Sequence, residues 1–207
     1  MEDTRFAKLV IFVNGLVPLT LLLWDWYHKQ VGANPLEFIT RTTGMLTLVF
    51  LMITIAVTPL RKITGANWLI KFRRMLGLFA FFYGFLHLMT YLWYDRGFNL
   101  KTVPGDIIKR PFITIGMTAF FLMIPLAITS TNKMVKRLGG KRWNRLHKVV
   151  YLAGVGGVLH YWMLVKSDTR LPLTFAFVLA LLLGYRLLVK YGPPPNPQRG
   201  ASLFPPR

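Results

Sequence analysis

Long runs without charged residues divide the sequence into apolar segments. No Asp, Glu, Lys or Arg occurs in residues 9–24, 42–60, 75–94, 112–132, 149–165 or 171–185. A helix that crosses a bilayer needs ~20 mainly apolar residues, within a range of ~17–25. The four middle runs reach that length, and interfacial side chains such as Trp24, Trp26 and Arg186 extend the first and last. Because backbone in lipid must satisfy its own hydrogen bonds, the pattern predicts an all-α integral membrane protein with a six-transmembrane-helix bundle.

The two ends of the chain differ from the middle. Arg5 and Lys8 precede the first apolar run, but no small-residue cleavage site follows it, so we expect a retained signal anchor. Prolines crowd the other end of the sequence, from Pro193 onward. We therefore predict that residues 1–190 form the membrane domain and that residues 191–207 form a Pro-rich, flexible cytoplasmic tail.

The charges indicate an orientation. The protein has 26 Lys and Arg against 7 Asp and Glu, a formal net charge of +19, although 54% of its residues are hydrophobic. With six spans, the side that holds both termini carries 18 basic and 2 acidic residues, and the other side carries 8 and 5. The positive-inside rule then places both termini in the cytoplasm. The basic loops also suit contact with anionic membrane lipid.

This distribution and the composition exclude several classes of protein. Short inter-helix loops rich in Lys and Arg follow from topology alone, so the net charge does not indicate nucleic-acid binding. The absence of cysteine excludes disulfides, iron–sulfur clusters, thiolate metal sites and covalently attached c-type haem. No carboxylate lies within a predicted span, which argues against an ion-coupled transporter.

Two histidines lie deep in the predicted spans at a matching depth. His87 follows Arg74 by 13 residues, and His160 follows His147 by 13 residues. At 1.5 Å per residue both lie ~20 Å from the cytoplasmic edge, on helices that run in the same direction. Imidazoles so placed can face each other, as bis-His ligation of a b-type haem requires. The alternative is that each packs as a hydrogen-bonded residue.

Small residues share the faces of these histidines. They lie one to two turns before each histidine: Ala80, Gly84, Ala153, Gly156 and Gly157. Their size would leave room for a porphyrin, which favours haem. Close helix packing explains small residues in membrane helices equally simply.

His147 lies near the predicted cytoplasmic edge of the membrane. A second haem at this depth would need His147 and a partner as ligands. The position of His147 is ~140° from the face of His160 on an ideal helix, so the two do not point to one neighbour. Arg73 or Arg74 lies at the depth of His147 and can hold haem propionates or, less plausibly, act as an axial ligand. The plain alternative for His147 is an interfacial residue in a basic loop.

The blocks that carry these residues resemble a known family. They are RRMLGLFAFFYGFLH (73–87), RPFITIGMTAFFLMIPLAITST (110–131), WNRLHKVVYLAG (143–154) and HYWMLVKSD (160–168). The sequence from about residue 9 to 190 resembles the haem-binding membrane subunits of bacterial MsrPQ systems, within the ferric-reductase-like transmembrane superfamily. These systems repair oxidised methionine in periplasmic proteins.

The resemblance also implies a cellular location, cofactors and redox partners that the residues alone do not indicate. It implies a multi-pass protein of the bacterial inner membrane with one or two b-type haems, FMN at a site not assigned to any residue, and haem iron ligands at His87, His147 and His160. The third helix has a single histidine, whereas relatives with two haems often have two. The family passes electrons from the quinone pool or a cytosolic flavin reductase to a periplasmic molybdopterin enzyme, on which methionine sulfoxide is reduced.

Two other functions stay open on the residues alone. One is a stand-alone ferric-reductase component, which needs a nucleotide and flavin domain that the short tail does not supply. The other is a non-redox membrane transporter or scaffold in which the histidines merely pack. A haem absorption spectrum separates the redox functions from the non-redox one.

Overall fold

The computed structural model describes residues 2–192, and the predicted tail from residue 193 onward lies outside them. The nine α-helices of this range are α1 Glu2–Tyr27, α2 Pro35–Thr64, α3 Arg73–Thr90, α4 Val103–Lys109, α5 Pro111–Ile128, α6 Asn132–Leu138, α7 Gly140–His147, α8 Val150–Leu164 and α9 Arg170–Tyr191. A π-helical turn, Tyr91–Asp95, continues α3. Short 3₁₀ segments occupy Asn67–Lys71 and Leu100–Thr102. Residues 2–192 contain no strand, which confirms the predicted all-α fold.

Five helices in this range are long and apolar enough to cross a membrane: α1, α2, α3 with its π-helical turn, α5 and α9. The sixth predicted span corresponds to α8, which has 15 residues. At 1.5 Å per residue α8 is ~22 Å long, less than the ~30 Å of a bilayer core. Six spans and their orientation therefore stay a prediction.

One boundary differs from the sequence prediction. His147 is the last residue of α7 rather than the start of the fifth predicted span. The α-helical bonding is interrupted there, because the backbone N–H groups of Lys148 and Val149 bond three residues back, to Arg145 and Leu146. Both residues keep helical dihedral angles, so the chain continues into α8 through a tighter turn than the continuous helix on which the angle of ~140° was based.

The centre of the bundle consists of α2, α3, α5 and α8. The most extensive helix contacts join α2 to α3 and α5 to α8, and α9 packs on α2 and α8. Ile55, Tyr83 and Ala153 are almost fully buried where these helices meet. Burial of such apolar surface stabilises the bundle core, at roughly 25 cal/mol per Å² where that surface would otherwise face water.

Helix α1 lies at the edge of the bundle, where much of its apolar surface is exposed. Its attachment depends on close approach to α3. The Tyr83 hydroxyl donates to the Gly15 carbonyl oxygen at 2.7 Å, and a Cβ at Gly15 would lie 2.5 Å from the Phe79 ring. Glycine is therefore required at this crossing.

A buried carboxylate fixes the connection between α3 and α5. Asp106 in α4 accepts a hydrogen bond from the Tyr91 hydroxyl at 2.8 Å and forms an ion pair with Arg96. Because Asp106 is buried, these partners replace the water that its charge would otherwise require. The network holds the loop that follows His87.

Candidate functional site

The fold brings His87 of α3 and His160 of α8 together. Their ring centroids are 6.0 Å apart, and the ring planes are 78° from parallel. Both residues are half-buried, near the end of the bundle at which α2 and α5 begin. The structure does not bring His147 to this pair, since it ends α7 at the opposite end of the bundle.

Each of the two imidazoles is fixed by a backbone carbonyl of a neighbouring helix. His87 Nδ1 donates to the Thr40 oxygen at 2.9 Å, and His160 Nδ1 donates to the Phe112 oxygen at 2.6 Å. A carbonyl oxygen only accepts, so both rings carry their proton on Nδ1 in the neutral form. The lone pair is then on Nε2, which is the usual arrangement of a metal-ligating histidine.

Each ring also lies against a glycine one turn beyond its carbonyl partner. A Cβ at Gly44 would lie 3.0 Å from His87 Cε1, and a Cβ at Gly116 would lie 2.6 Å from His160 Nδ1. The second contact is closer than side chains tolerate, so glycine is required there. The two histidines are therefore held in the same way, by an i carbonyl and an i+4 glycine.

This geometry suits two axial ligands of one metal. If each Nε2 binds a metal at about 2.0–2.1 Å, the distance known for zinc, the two ring centroids are ~6 Å apart. The observed 6.0 Å between His87 and His160 agrees with that separation. The donor set also agrees, because two neutral imidazoles are common haem ligands. Residues 2–192 contain no group of three or more His, Asp or Glu side chains that could hold a metal ion.

The small residues lie against neighbouring helices. A Cβ at Gly84 would lie 3.4 Å from Phe120, one at Gly156 would lie 3.1 Å from Ala119, and one at Gly157 would lie 2.9 Å from Leu48. Ala80 and Ala153 are fully buried in the core. These contacts agree with the packing alternative, and room for a porphyrin beside them stays a prediction.

His147 is held by side chains rather than by a backbone carbonyl. Its ring stacks on Trp143 at 3.8 Å between centroids, and its Nε2 lies 3.1 Å from the Thr129 hydroxyl. That hydroxyl makes a shorter bond, 2.6 Å, to the Pro125 carbonyl and donates there, so it accepts from Nε2. The proton is thus on Nε2, the opposite tautomer from His87 and His160.

Charge and burial keep His147 neutral. Burial first, and then the positive charges of Arg73 and Arg74, lower the pKa of its imidazole to about 4. Like charges and a less polar surrounding both disfavour the imidazolium. At neutral pH the ring therefore carries no charge.

A cavity of about 260 Å³ opens beside His147. Its lining includes side chains from α3, α7, α8, α9 and the turn between α7 and α8: Arg73, Arg74, His147, Lys148, Tyr151 and Arg186. Both predicted arginines reach it, but they differ. Arg73 is half-buried and contacts Thr58 at 3.5 Å, whereas Arg74 is exposed and donates to the Asn132 side-chain oxygen at 2.7 Å.

Several residues of these two regions were not predicted. Thr40, Gly44, Phe112 and Gly116 surround the paired histidines, and Arg186 lines the cavity. Glycines near the start of the second and fourth apolar runs were the available signal for Gly44 and Gly116. Thr40 and Phe112 contribute backbone carbonyl oxygens, which every residue has, so the sequence could not identify them.

The fold and the paired imidazoles define a helical membrane protein with a candidate metal centre. Comparison with known proteins agrees with this class. Residues 40–158 match the family described as ferric reductase like transmembrane component.

Full-length relatives are more specific. The chain is 53% identical to the protein-methionine-sulfoxide reductase heme-binding subunit MsrQ of Herminiimonas arsenicoxydans over 182 residues, 87% of this chain and 84% of that protein. It is also 53% identical to the MsrQ of Ralstonia nicotianae, over 90% of this chain and 87% of the relative. With the MsrQ of Rhodospirillum rubrum it shares 47% identity over 90% of both chains. The chain therefore belongs to the ferric reductase like transmembrane component family and, within it, to the MsrQ heme-binding subunits.

Proposed function

We propose that this protein is a membrane electron-transfer subunit that carries b-type haem and serves a protein-methionine-sulfoxide reductase. The observation that carries the proposal is the 6.0 Å separation of His87 and His160, each with Nδ1 bonded to a backbone carbonyl, which leaves Nε2 for a metal. The names of its relatives, heme-binding subunits of such reductases, support the cofactor and the partner.

The route proposed for the electrons follows the family resemblance. The donor is the quinone pool or a cytosolic flavin reductase, and the acceptor is a periplasmic molybdopterin subunit that reduces methionine sulfoxide. His147, Arg73 and Arg74 form a donor-side site at the cytoplasmic end, with His147 as a further candidate iron ligand. FMN belongs to this proposal as a second cofactor, without assigned residues. Six spans in the bacterial inner membrane, with both termini cytoplasmic, complete it.

The chain's own residues act on the cofactor by position. Bound haem supplies the one-electron redox chemistry. The carbonyls of Thr40 and Phe112 hold the Nδ1 protons of the two imidazoles, which fixes the tautomer and raises the basicity of Nε2. Gly44 and Gly116 leave space for the same Nδ1 edges of the two rings. Ligand identity, hydrogen bonding and burial then set the reduction potential.

The test is the absorption spectrum of the purified protein, oxidised and then reduced with dithionite. We expect a Soret band that shifts on reduction, and loss of that band in His87→Ala and in His160→Ala. His28→Ala is the matched control, because His28 lies in an exposed loop after α1 and should leave haem content unchanged. Wild-type haem content in either axial variant would show the assignment to be wrong.

A second measurement decides the role of His147. Haem is counted per protein in wild type and in His147→Ala. A fall from two haems to one supports His147 as an iron ligand. An unchanged single haem shows instead that His147 only lines the cavity.

A further inference from the structure

Three arginines converge at the end of the bundle that holds His147, the end predicted to face the cytoplasm. Arg61 lies near the end of α2, Arg73 begins α3, and Arg186 lies near the end of α9. All three are half-buried, and the charges of Arg186 and Arg61 act repulsively on Arg73. Among the side chains of the described range, no carboxylate forms an ion pair with any of them.

Such a cluster is unfavourable by itself. Like charges repel more strongly where protein replaces water, and a partly buried guanidinium that lacks a counter-charge loses hydration without compensation. The sequence provides little relief, because Glu2 and Asp3 are the only acids on this side of the predicted topology. A bound anion would remove the repulsion.

The arginines have donors to offer such an anion. Arg186 is oriented by a 2.7 Å bond from Nη2 to the Ile55 oxygen and by the Tyr151 ring, 4.9 Å from its Cζ. Its Nε is buried and has no hydrogen-bond partner among the described residues, and the same holds for Arg61 Nε. Arg73 and Arg186 both open into the 260 Å³ cavity.

The anion is not part of a group bound between His87 and His160. Arg73 and His87 are 14 residues apart on α3, which corresponds to ~21 Å along the helix axis. The negative charge must therefore come from a group bound in the cavity itself. The planar fork of an arginine matches the oxygens of a phosphate, and two or three arginines suit its double charge.

We propose that Arg73 and Arg186 bind the phosphate group of a ligand in this cavity, and that the nearby charge of Arg61 adds to the attraction. The phosphate comes from a soluble phosphomonoester or from the headgroup of an anionic lipid, since the cavity lies at the predicted membrane surface. The proposal rests on the proposed donor-side cavity, but it requires neither haem nor electron transfer.

The experiment measures the thermal midpoint of the full chain in nanodiscs. Nanodiscs of phosphatidylcholine receive inorganic phosphate, with chloride at equal ionic strength as the reference. A second set contains phosphatidylglycerol without added phosphate. We expect phosphate, phosphatidylglycerol or both to raise the wild-type midpoint, because a ligand that binds only the folded state stabilises it. A response to inorganic phosphate alone indicates the soluble source, and a response to phosphatidylglycerol alone indicates the lipid.

Arg186→Gln separates binding from a structural role. In phosphatidylcholine with chloride its midpoint should equal or exceed that of wild type, because the substitution relieves repulsion. Its apparent affinity for the stabilising phosphate should fall at least tenfold. A purely structural Arg186, held by Ile55, would instead lower the midpoint under every condition. If this variant does not fold, Arg73→Gln provides the same comparison.

Arg170→Gln is the matched control, because Arg170 lies at the other end of α9 with 92% of its side chain exposed. It should respond as wild type does. The inference is wrong if neither phosphate source raises the wild-type midpoint above the chloride reference, or if Arg186→Gln responds as wild type does. The haem spectrum of the same samples reports separately on the proposed function.

Discussion

The histidines at the two ends of the bundle have opposite tautomers and different partners. At one end, backbone carbonyls hold the Nδ1 protons of His87 and His160 and no arginine is among the groups that fix the rings. At the other, His147 carries its proton on Nε2, stacks on Trp143 and lies beside positive charges. The first arrangement leaves the Nε2 lone pairs of two imidazoles available to bind a cation. The second keeps one imidazole neutral next to arginines that attract an anion.

This difference shows that histidine alone does not define a site. A ring becomes a metal ligand when its second nitrogen is fixed and its lone pair is directed at a shared point. His87 and His160 meet the first condition, because each Nδ1 is fixed by a backbone carbonyl, and their rings lie 6.0 Å apart. His147 has a different partner set, and its surroundings favour negative charge.

The largest expected effect tests the histidine end through its glycines. Gly116→Ala places a Cβ 2.6 Å from His160 Nδ1, so the ring must move. We expect haem affinity to fall at least about tenfold, as for other residues that orient metal ligands. Gly44→Ala, whose Cβ would lie 3.0 Å from His87, should cause a smaller loss. Haem per protein, measured from the Soret band, checks the order.

Gly184→Ala is the control for these glycine variants. Gly184 lies in α9, and a Cβ there would have nothing within 4 Å. It should retain the wild-type haem content. Equal losses in Gly116→Ala and Gly184→Ala would mean that the glycine contact does not position His160.

The next effect concerns the loop after His87. Asp106→Asn removes the charge that pairs with Arg96 and weakens the bond from the Tyr91 hydroxyl. Loss of a buried charged partner should destabilise the protein by about 1–3 kcal/mol. Thermal unfolding checks this, with Asp168→Asn as the control, because that carboxylate is 70% exposed. If Asp106→Asn destabilises the protein no more than Asp168→Asn does, Asp106 does not hold this loop.

A smaller effect is expected beside His147. Trp143→Phe keeps an aromatic ring for stacking but loses the 2.9 Å bond from Nε1 to the Thr129 oxygen. We expect a destabilisation of about 1 kcal/mol and an unchanged content of haem held by His87 and His160. Unfolding and absorption spectra on one sample measure both, and Trp162→Phe, at a more exposed position, is the reference. Loss of that haem would mean that the two ends are coupled.

The smallest effect distinguishes the two neighbouring arginines. Arg74 is exposed and bonds to the Asn132 side chain, so Arg74→Gln should change stability by less than about 0.5 kcal/mol. Arg73→Gln, from a half-buried position, should weaken phosphate stabilisation as Arg186→Gln does. The same nanodisc titration compares them. An equal loss of phosphate stabilisation in Arg74→Gln would mean that the anion site also includes the exposed Arg74.

The pattern of charges and apolar runs by itself determined the all-α fold, the long helices and the matched depth of His87 and His160, because bilayer thickness and helix rise leave few alternatives. It did not determine which neighbours the histidines would have. Gly84, Gly156 and Gly157 share faces with the histidines along the helix, yet they pack against other helices. Position on one helix does not fix the partner across the interface.

Only the tertiary structure decided the contacts that give each region its chemistry. The carbonyls of Thr40 and Phe112 lie 47 and 48 residues from their histidines, and Arg186 meets Ile55 across 131 residues. Backbone oxygens are chemically the same at every position, and one arginine in an apolar helix resembles any interfacial residue. Packing alone selects which of them meets an imidazole or another guanidinium. That selection distinguishes the proposed cation site from the proposed anion site.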